Sequence, residues 1–240
     1  ADDCGLVLAA IAGRDDQDAT SVDRPFEWSG PKDLETKPKL AIVAGCDQHV
    51  QKAVRKNFRK SLDQLEDFCE IGEVTLPDLP YEDVAGTLIA CEMAAAFEGL
   101  VSSGDVWQLT APEDRWGGHA AMMIPARDYI NAMRIRPKIQ STLNGLFEGI
   151  HAMVTPTLAT VAYPNDRSFT DYRRGHHASR IGGAGNAAGI PGISVPNGFG
   201  EDHLPTGLQL VGPAWSEMTL LGIAAKYQHS TRWHKKHPDV

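Results

Sequence analysis

The segment from Lys39 to Leu76 constrains this chain most. Lys39-Leu40-Ala41-Ile42-Val43-Ala44-Gly45 is a short apolar run with the length of a buried strand. Residues 47–69 then place Val50, Val54, Leu62, Leu65 and Phe68 at helical spacing, with Lys52, Arg55, Lys56, Arg59 and Lys60 between them. Ile71-Gly72-Glu73-Val74-Thr75-Leu76 alternates as a strand does and stops at Pro77. Strand, helix and strand on short joints make a βαβ unit with a right-handed crossover.

The rest of the chain adds helices and strands to that unit. Residues 2–12 read as an apolar helix ending at Gly13, and 14–38 as a long loop carrying Pro25, Pro31 and Pro38. An Ala-rich helix is expected over 82–101, an irregular stretch with Trp107, Trp116 and Gly117-Gly118 over 104–125, and a helix interrupted or kinked near Pro137 over 126–148. Residues 150–157 and 208–212 read as strands, and 216–228 as a helix capped by Ser216. Between them, the glycines of 182–200 imply close approach of main chain to something. Strands mixed with helices throughout define an α/β layer architecture.

Composition narrows the function classes. A 42% hydrophobic content excludes a disordered chain, and no run reaches the roughly 18 apolar residues of a membrane span. Net charge is -8, from 23 basic and 31 acidic residues, which argues against nucleic acid as the main partner. The basic run on 52–60 then reads as a solvated helix face. Cys4, Cys46, Cys69 and Cys91 form no C-x-x-C pair, so buried free thiols in a reducing, cytoplasmic compartment are expected. Ala1 opens no basic, signal-like segment, and the first helix reads as one entered from its interior.

Motifs for chemistry are sparse. No phosphate-binding loop is present, and Gly182-Gly183-Ala184-Gly185-Asn186 precedes a strand where a dinucleotide turn would follow one. His176-His177 point apart as neighbours, and His234 and His237 lie in a polar tail, so no metal site is expected. Ser102-Ser103-Gly104 closes a helix, where carbonyls rather than amide donors are presented, and no G-x-S-x-G elbow occurs. No catalytic residue is therefore assigned within the chain.

Two long segments carry a resemblance. Leu8-Ala9-Ala10-Ile11-Ala12-Gly13-Arg14-Asp15-Asp16-Gln17-Asp18-Ala19-Thr20-Ser21 resembles the helix and loop that follow the catalytic core of amidase signature enzymes. Asn186-Ala187-Ala188-Gly189-Ile190-Pro191-Gly192-Ile193-Ser194-Val195-Pro196-Asn197-Gly198-Phe199, with Leu204-Pro205-Thr206-Gly207-Leu208-Gln209-Leu210-Val211-Gly212, is similar to that family's C-terminal segment. Met153-Val154-Thr155-Pro156-Thr157 resembles an internal strand. The resemblance implies that residues 1–240 are the C-terminal portion of a single amidase domain, with a mixed sheet flanked by helices on both faces. It implies amide hydrolysis by a Ser-Ser-Lys triad that lies upstream of this segment, so that the chain alone is inactive. It implies no organic cofactor and no metal.

The same resemblance bears on specificity. In the A subunit of glutamyl-tRNA amidotransferase an acidic residue stands seven positions before the Asn that matches Asn186. Here that position is Ser179, which offers no carboxylate to an ammonium group. A stand-alone amidase is favoured; one alternative is the A subunit of the amidotransferase, and another is a non-catalytic binding or truncated protein. The expected partner is a small-molecule amide, contacted by Ser179, Gly185, Asn186 and Trp107, with no nucleic acid and no membrane; a homodimer is compatible with the sequence, though no motif specifies one. If half of a fold lies elsewhere, apolar surface should be exposed near residues 1–12 and 182–212.

Overall fold

The computed structural model describes residues 1–30, 37–177 and 179–237. In chain order the elements are α1 (Asp2–Ile11), β1 (Lys39–Val43), α2 (Lys52–Glu66), β2 (Glu70–Val74), α3 (Tyr81–Ala96), α4 (Glu98–Ser103), α5 (Pro112–Ala121), α6 (Ala126–Leu146), β3 (Ala152–Pro156), α7 (Phe169–Tyr172), α8 (Ile181–Ala188), β4 (Gly192–Phe199), β5 (Pro205–Val211) and α9 (Glu217–Thr231). They form two compact units, one of residues 1–76, 146–179 and 190–240, the other of residues 77–145 and 180–189. The prolines of the predicted 14–38 loop include Pro31, which falls outside the described residues.

The first unit holds a mixed five-stranded sheet in the order β2-β1-β3-β5-β4. The βαβ unit is present: β1 and β2 pair in parallel, with Lys39 opposite Glu70 and Val43 opposite Val74. β3 lies parallel to β1 on its other side, and β5 and β4 complete the sheet antiparallel to β3 and to each other, respectively. All five residues of β3 are buried, as expected of a central strand; the polar one, Thr155, donates to Gln209 Oε1 (3.3 Å).

Helix α2 begins at Lys52, later than its periodicity suggests. The chain turns first, with Cys46 N–H donating to the Val43 carbonyl and Gln48 N–H to that of Gly45. The buried stripe is Val54, Phe58, Ser61 and Leu65, so a serine occupies what is otherwise an apolar face. Ser216 stands at the start of α9 but makes no capping bond, and its Oγ is buried without a partner among the described residues. Its backbone angles (φ -95, ψ 14) depart from the extended conformation that aims a cap at the first amides.

Ser61 belongs to a buried polar network joining α2, β4, β5 and α9. Its hydroxyl donates to the Asn57 carbonyl (2.8 Å) and accepts from Tyr227 (2.8 Å) and from Asn197 Nδ2 (3.1 Å). Asn197 Oδ1 accepts from Thr206 (2.7 Å), which accepts from Asn57 Nδ2 (2.9 Å). Asn57 Nδ2 also donates to the Phe199 carbonyl (3.0 Å). Gly198 is required beside this network. Its φ of +148 is rare for L side chains, and a Cβ there would lie 2.7 Å from the Asn57 amide.

The second unit is helical, and two expectations change there. The single helix expected over 82–101 is two helices, interrupted at Phe97, and Gly104 ends the second in the left-handed conformation. The stretch expected to be irregular contains α5, started by Pro112 with Glu113 and Asp114 in its first turn, where both favour a helix N-terminus. A Gly117-Gly118 pair suggests a loop, yet Gly118 serves packing: a Cβ there would lie 2.6 Å from Val101 Cγ2. Helix α6 runs through Pro137.

Exposed apolar surface is found on α1, where only Gly5 is buried and Leu6, Val7 and Ile11 are 59%, 59% and 75% exposed. A groove of about 240 Å³ beside it is lined by Leu8, Ile193, Leu220 and Leu221. In the second expected region the outcome differs: Val195, Leu208, Leu210 and Val211 are buried in the sheet, while Phe199 is exposed.

Of the four free thiols, Cys46 and Cys69 are buried as expected, whereas Cys4 is exposed and Cys91 half-buried. Burial pushes both the Cys46 and Cys69 thiols up to about 12. Unfolded thiols ionise near 9.0, so the stability held by keeping these groups neutral is complete below that pH and lost as pH rises toward 12. Chemical denaturation from about pH 8 to 11 should show falling stability, less steep in the Cys46→Ala, Cys69→Ala double variant. In the network, Tyr227→Phe should cost about 1 kcal/mol, and Asn197→Leu about 2–4 kcal/mol because it leaves several buried partners unpaired. Urea unfolding monitored by circular dichroism measures both.

Candidate functional site

Strands β1, β2, β3 and β4 point the same way, so the segments leaving their carboxyl ends gather at one edge of the sheet. In open α/β sheets this is the end where ligands bind. Gln51 organises it. Its N–H donates to the Ala159 carbonyl (2.8 Å), its Oε1 accepts from Val161 N–H (2.9 Å), and its Nε2 donates to the Tyr172 hydroxyl (3.2 Å). His177 N–H donates to the His49 carbonyl (2.9 Å), and the two imidazoles stack with centroids 4.3 Å apart. Thr157 and Ser194 hydroxyls lie 2.7 Å apart. Ser179 is half-buried at the end of the segment so anchored.

His177, expected at the surface, is exposed, but its ring is committed to His49; His176 is half-buried with Nδ1 unpartnered among the described residues. Among the described residues, no group of three or more His, Cys, Asp or Glu is arranged to hold a metal ion.

Gly185 and Asn186 lie on α8 in the second unit. The glycines of this helix let it approach α3: a Cβ on Gly183 would stand 3.1 Å from the Glu82 amide nitrogen. The close approach that the glycine density implies is thus, in part, helix against helix. Both ends of α8 are fixed. Arg180 donates to Asp78 Oδ1 (3.0 Å) and to the Leu79 carbonyl, and its guanidinium lies over the Tyr81 ring (5.1 Å). Arg136 Nε donates to the Ala187 carbonyl (2.9 Å) and Gln140 Nε2 to that of Ala188 (3.0 Å). Ile181, Ala184, Ala187 and Ala188 are buried, leaving Gly182, Asn186 and Gly189 exposed at spacings of four and three, along one face. Asn186 makes no side-chain hydrogen bond among the described residues.

Trp107 lies apart from α8 in the chain, on the turn Asp105–Gln108, edge-on to Trp116 (4.6 Å) and stacked on His119 (5.5 Å). Ser103 is no nucleophile by geometry: at the end of α4 its hydroxyl faces Asp105 Oδ2 (2.9 Å) and the Leu100 carbonyl (3.2 Å) rather than a lysine or histidine. The Gln51 hub and the Arg136 and Gln140 clamps escape sequence reading, because a lone Gln or Arg carries no motif until the fold brings it to a carbonyl.

The family model described as Amidase matches residues 1–221, and the chain belongs to the amidase signature family. It is 33% identical over 268 residues to the A subunit of glutamyl-tRNA(Gln) amidotransferase from Roseiflexus sp. (strain RS-1), covering 99% of this chain and 54% of that protein. It is 30% identical over 273 residues to the corresponding protein of Nostoc sp. (strain PCC 7120 / SAG 25.82 / UTEX 2576), covering 100% of this chain and 55% of that protein. The chain thus spans about half the length of the curated relatives it matches. Its fold is that of a bacterial aryl acylamidase of the amidase signature family (TM-score 0.75, 17% identity, 97% of this chain, 52% of the other). It is likewise that of the A subunit of glutamyl-tRNA(Gln) amidotransferase from Thermotoga maritima (TM-score 0.70, 23% identity, 96% and 51%).

Proposed function

We propose that this chain is the C-terminal portion of an amidase domain that hydrolyses a carboxylic amide to an acid and ammonia or an amine. The observation that carries the reading is the family match over residues 1–221. The attacking serine, the relaying serine and the neutral lysine belong to the portion of the domain upstream. A serine is weakly nucleophilic until a base takes its proton, and a lysine serves as that base only when burial lowers its pKa. The placement of Ser103 against a carboxylate and a carbonyl accords with this division. So does the uncovered apolar face of α1, which suits a helix covered by the rest of a domain.

On this reading the exposed Gly182–Asn186–Gly189 face of α8 supplies one wall of the substrate site. Small residues admit the backbone of a donor loop, and the Asn186 amide is free to bond it or the substrate. Ser179, Gly185 and Trp107 are the other proposed contacts, Trp107 for an apolar group of the amide. The substrate is a small molecule, no cofactor is called for, and the compartment is the cytoplasm. Among the described residues, no helix is long and apolar enough to cross a membrane.

The relatives' name supports a second reading, an amidotransferase A subunit that works with other subunits. The serine at position 179, where a carboxylate would meet an amino acid's ammonium, weighs against it. Glutaminase activity of the full-length protein that rises on adding those subunits would favour it.

The purified 240-residue chain should show no turnover of a simple aryl amide; turnover abolished by Ser103→Ala would overturn the division of labour proposed here. In the full-length protein, Asn186→Ala should lower kcat/KM roughly tenfold, the loss of one polar contact in the site. Because Asn186 is exposed, stability should change by less than about 0.5 kcal/mol. Equal losses of activity and stability would make Asn186 a structural residue.

A further inference from the structure

The second unit contains a cavity of about 280 Å³ that the reading above does not use. Its walls are Met93 and Phe97 from α3 and its end, Leu100 and Val101 from α4, and Val106 and Leu109 from the turn that follows. Gly117 and Gly118 of α5 complete it. Val101 and Val106 are buried, whereas Phe97 is 56% exposed, so the cavity has a packed base and an open mouth. A Cβ on Gly117 would meet nothing within 4 Å, so this glycine leaves space that almost any other residue would fill. Glycine inside a helix costs about 1 kcal/mol relative to alanine, and at Gly117 no packing contact offsets it.

One charged side chain, Asp114, lines the cavity. Its carboxylate has no hydrogen bond or ion pair among the described residues. The neighbouring Arg115 makes no ion pair with it among the described residues, and its Nε donates to the Leu109 carbonyl (2.7 Å). Residues 92–118, which build the cavity, carry Glu92, Glu98, Asp105, Glu113 and Asp114 against Arg115 alone, an acidic balance that suits a cation better than an anion. The volume lies at the small end of ligand pockets, enough for an aromatic ring or short aliphatic chain.

We propose that this cavity binds a small hydrophobic ammonium ion, its apolar body against Phe97, Leu100, Val106 and Leu109 and its charge beside Asp114. The site is independent of the amidase reading: it lies wholly within this chain and needs no nucleophile. Its test is an NMR titration of the 240-residue chain, following the methyl resonances of Leu100, Val101, Val106 and Leu109. The probes are phenethylammonium, its neutral counterpart phenethyl alcohol and the anion hydrocinnamate.

Saturable shifts are expected with the ammonium ion, about two- to fivefold weaker binding with the alcohol, and the weakest with the carboxylate, as an exposed ion pair allows. Asp114→Asn should bring the ammonium ion down to the alcohol's affinity. Gly117→Leu should abolish binding while preserving the helical circular dichroism spectrum, since leucine favours the helix. Equal affinity for ammonium ion and alcohol, no saturable shift with any probe, or undiminished binding by a folded Gly117→Leu variant would each overturn the proposal. The comparison of three probes on the unsubstituted chain decides the charge preference even if a variant fails to fold.

Discussion

Ser61, Asn197, Thr206, Asn57 and Tyr227 form the contact on which the first unit depends. A buried polar group costs about 1–3 kcal/mol when left unpaired, and here each donor meets an acceptor within 3.1 Å. Such a network is satisfied in only one arrangement of α2, β4, β5 and α9. Apolar packing alone would tolerate a helix shifted along its axis; this set of partners does not. Burial also raises the Tyr227 pKa, which keeps the hydroxyl protonated and able to donate to Ser61. The irregularity between Pro196 and Gly198 follows from the same site, because Asn197 must turn inward while the strand continues.

The second unit is ordered by different means. Arginines and a glutamine bind helix ends through carbonyls, and glycines allow helices to approach. Arg136 and Gln140 satisfy carbonyls at the end of α8 that a helix leaves without partners. Arg180 sits between Asp78, the Leu79 carbonyl and the Tyr81 ring at its start. The outcome is a short helix held at both ends with an unoccupied polar amide on its open face. Such a mounting suits the contact proposed for Asn186, and it comes from a segment whose composition, Gly and Ala, suggests little structure by itself.

Membership of the amidase family and the helix-end placement of Ser103 belong together. On the reading proposed here, the chain offers a wall of the site, its anchors and part of a sheet, and the reactive groups belong to another portion of the domain. Ser179 makes the proposed difference from the amidotransferase relatives a matter of charge: a hydroxyl can orient an amide but cannot hold an ammonium ion as a carboxylate does.

Much of this was legible in the residues. The apolar run at 40–43, the stripe of α2 and the alternation at 71–76 specified the βαβ unit, and 150–157 read as a strand, because strand and helix periods are local properties of the chain. The ordered segments around Asn186 and Pro196 identified the family. What sequence could not supply was the partner of each polar side chain. Ser216 has the composition of a cap and is none, since the backbone angle of one residue decides it. Gly117-Gly118 has the composition of a loop and lies in a helix, since Pro112, Glu113 and Asp114 start one and Val101 requires the space above Gly118. Ser61 and Asn197 give no signal as letters; only tertiary structure, by removing both from water, made their pairing obligatory.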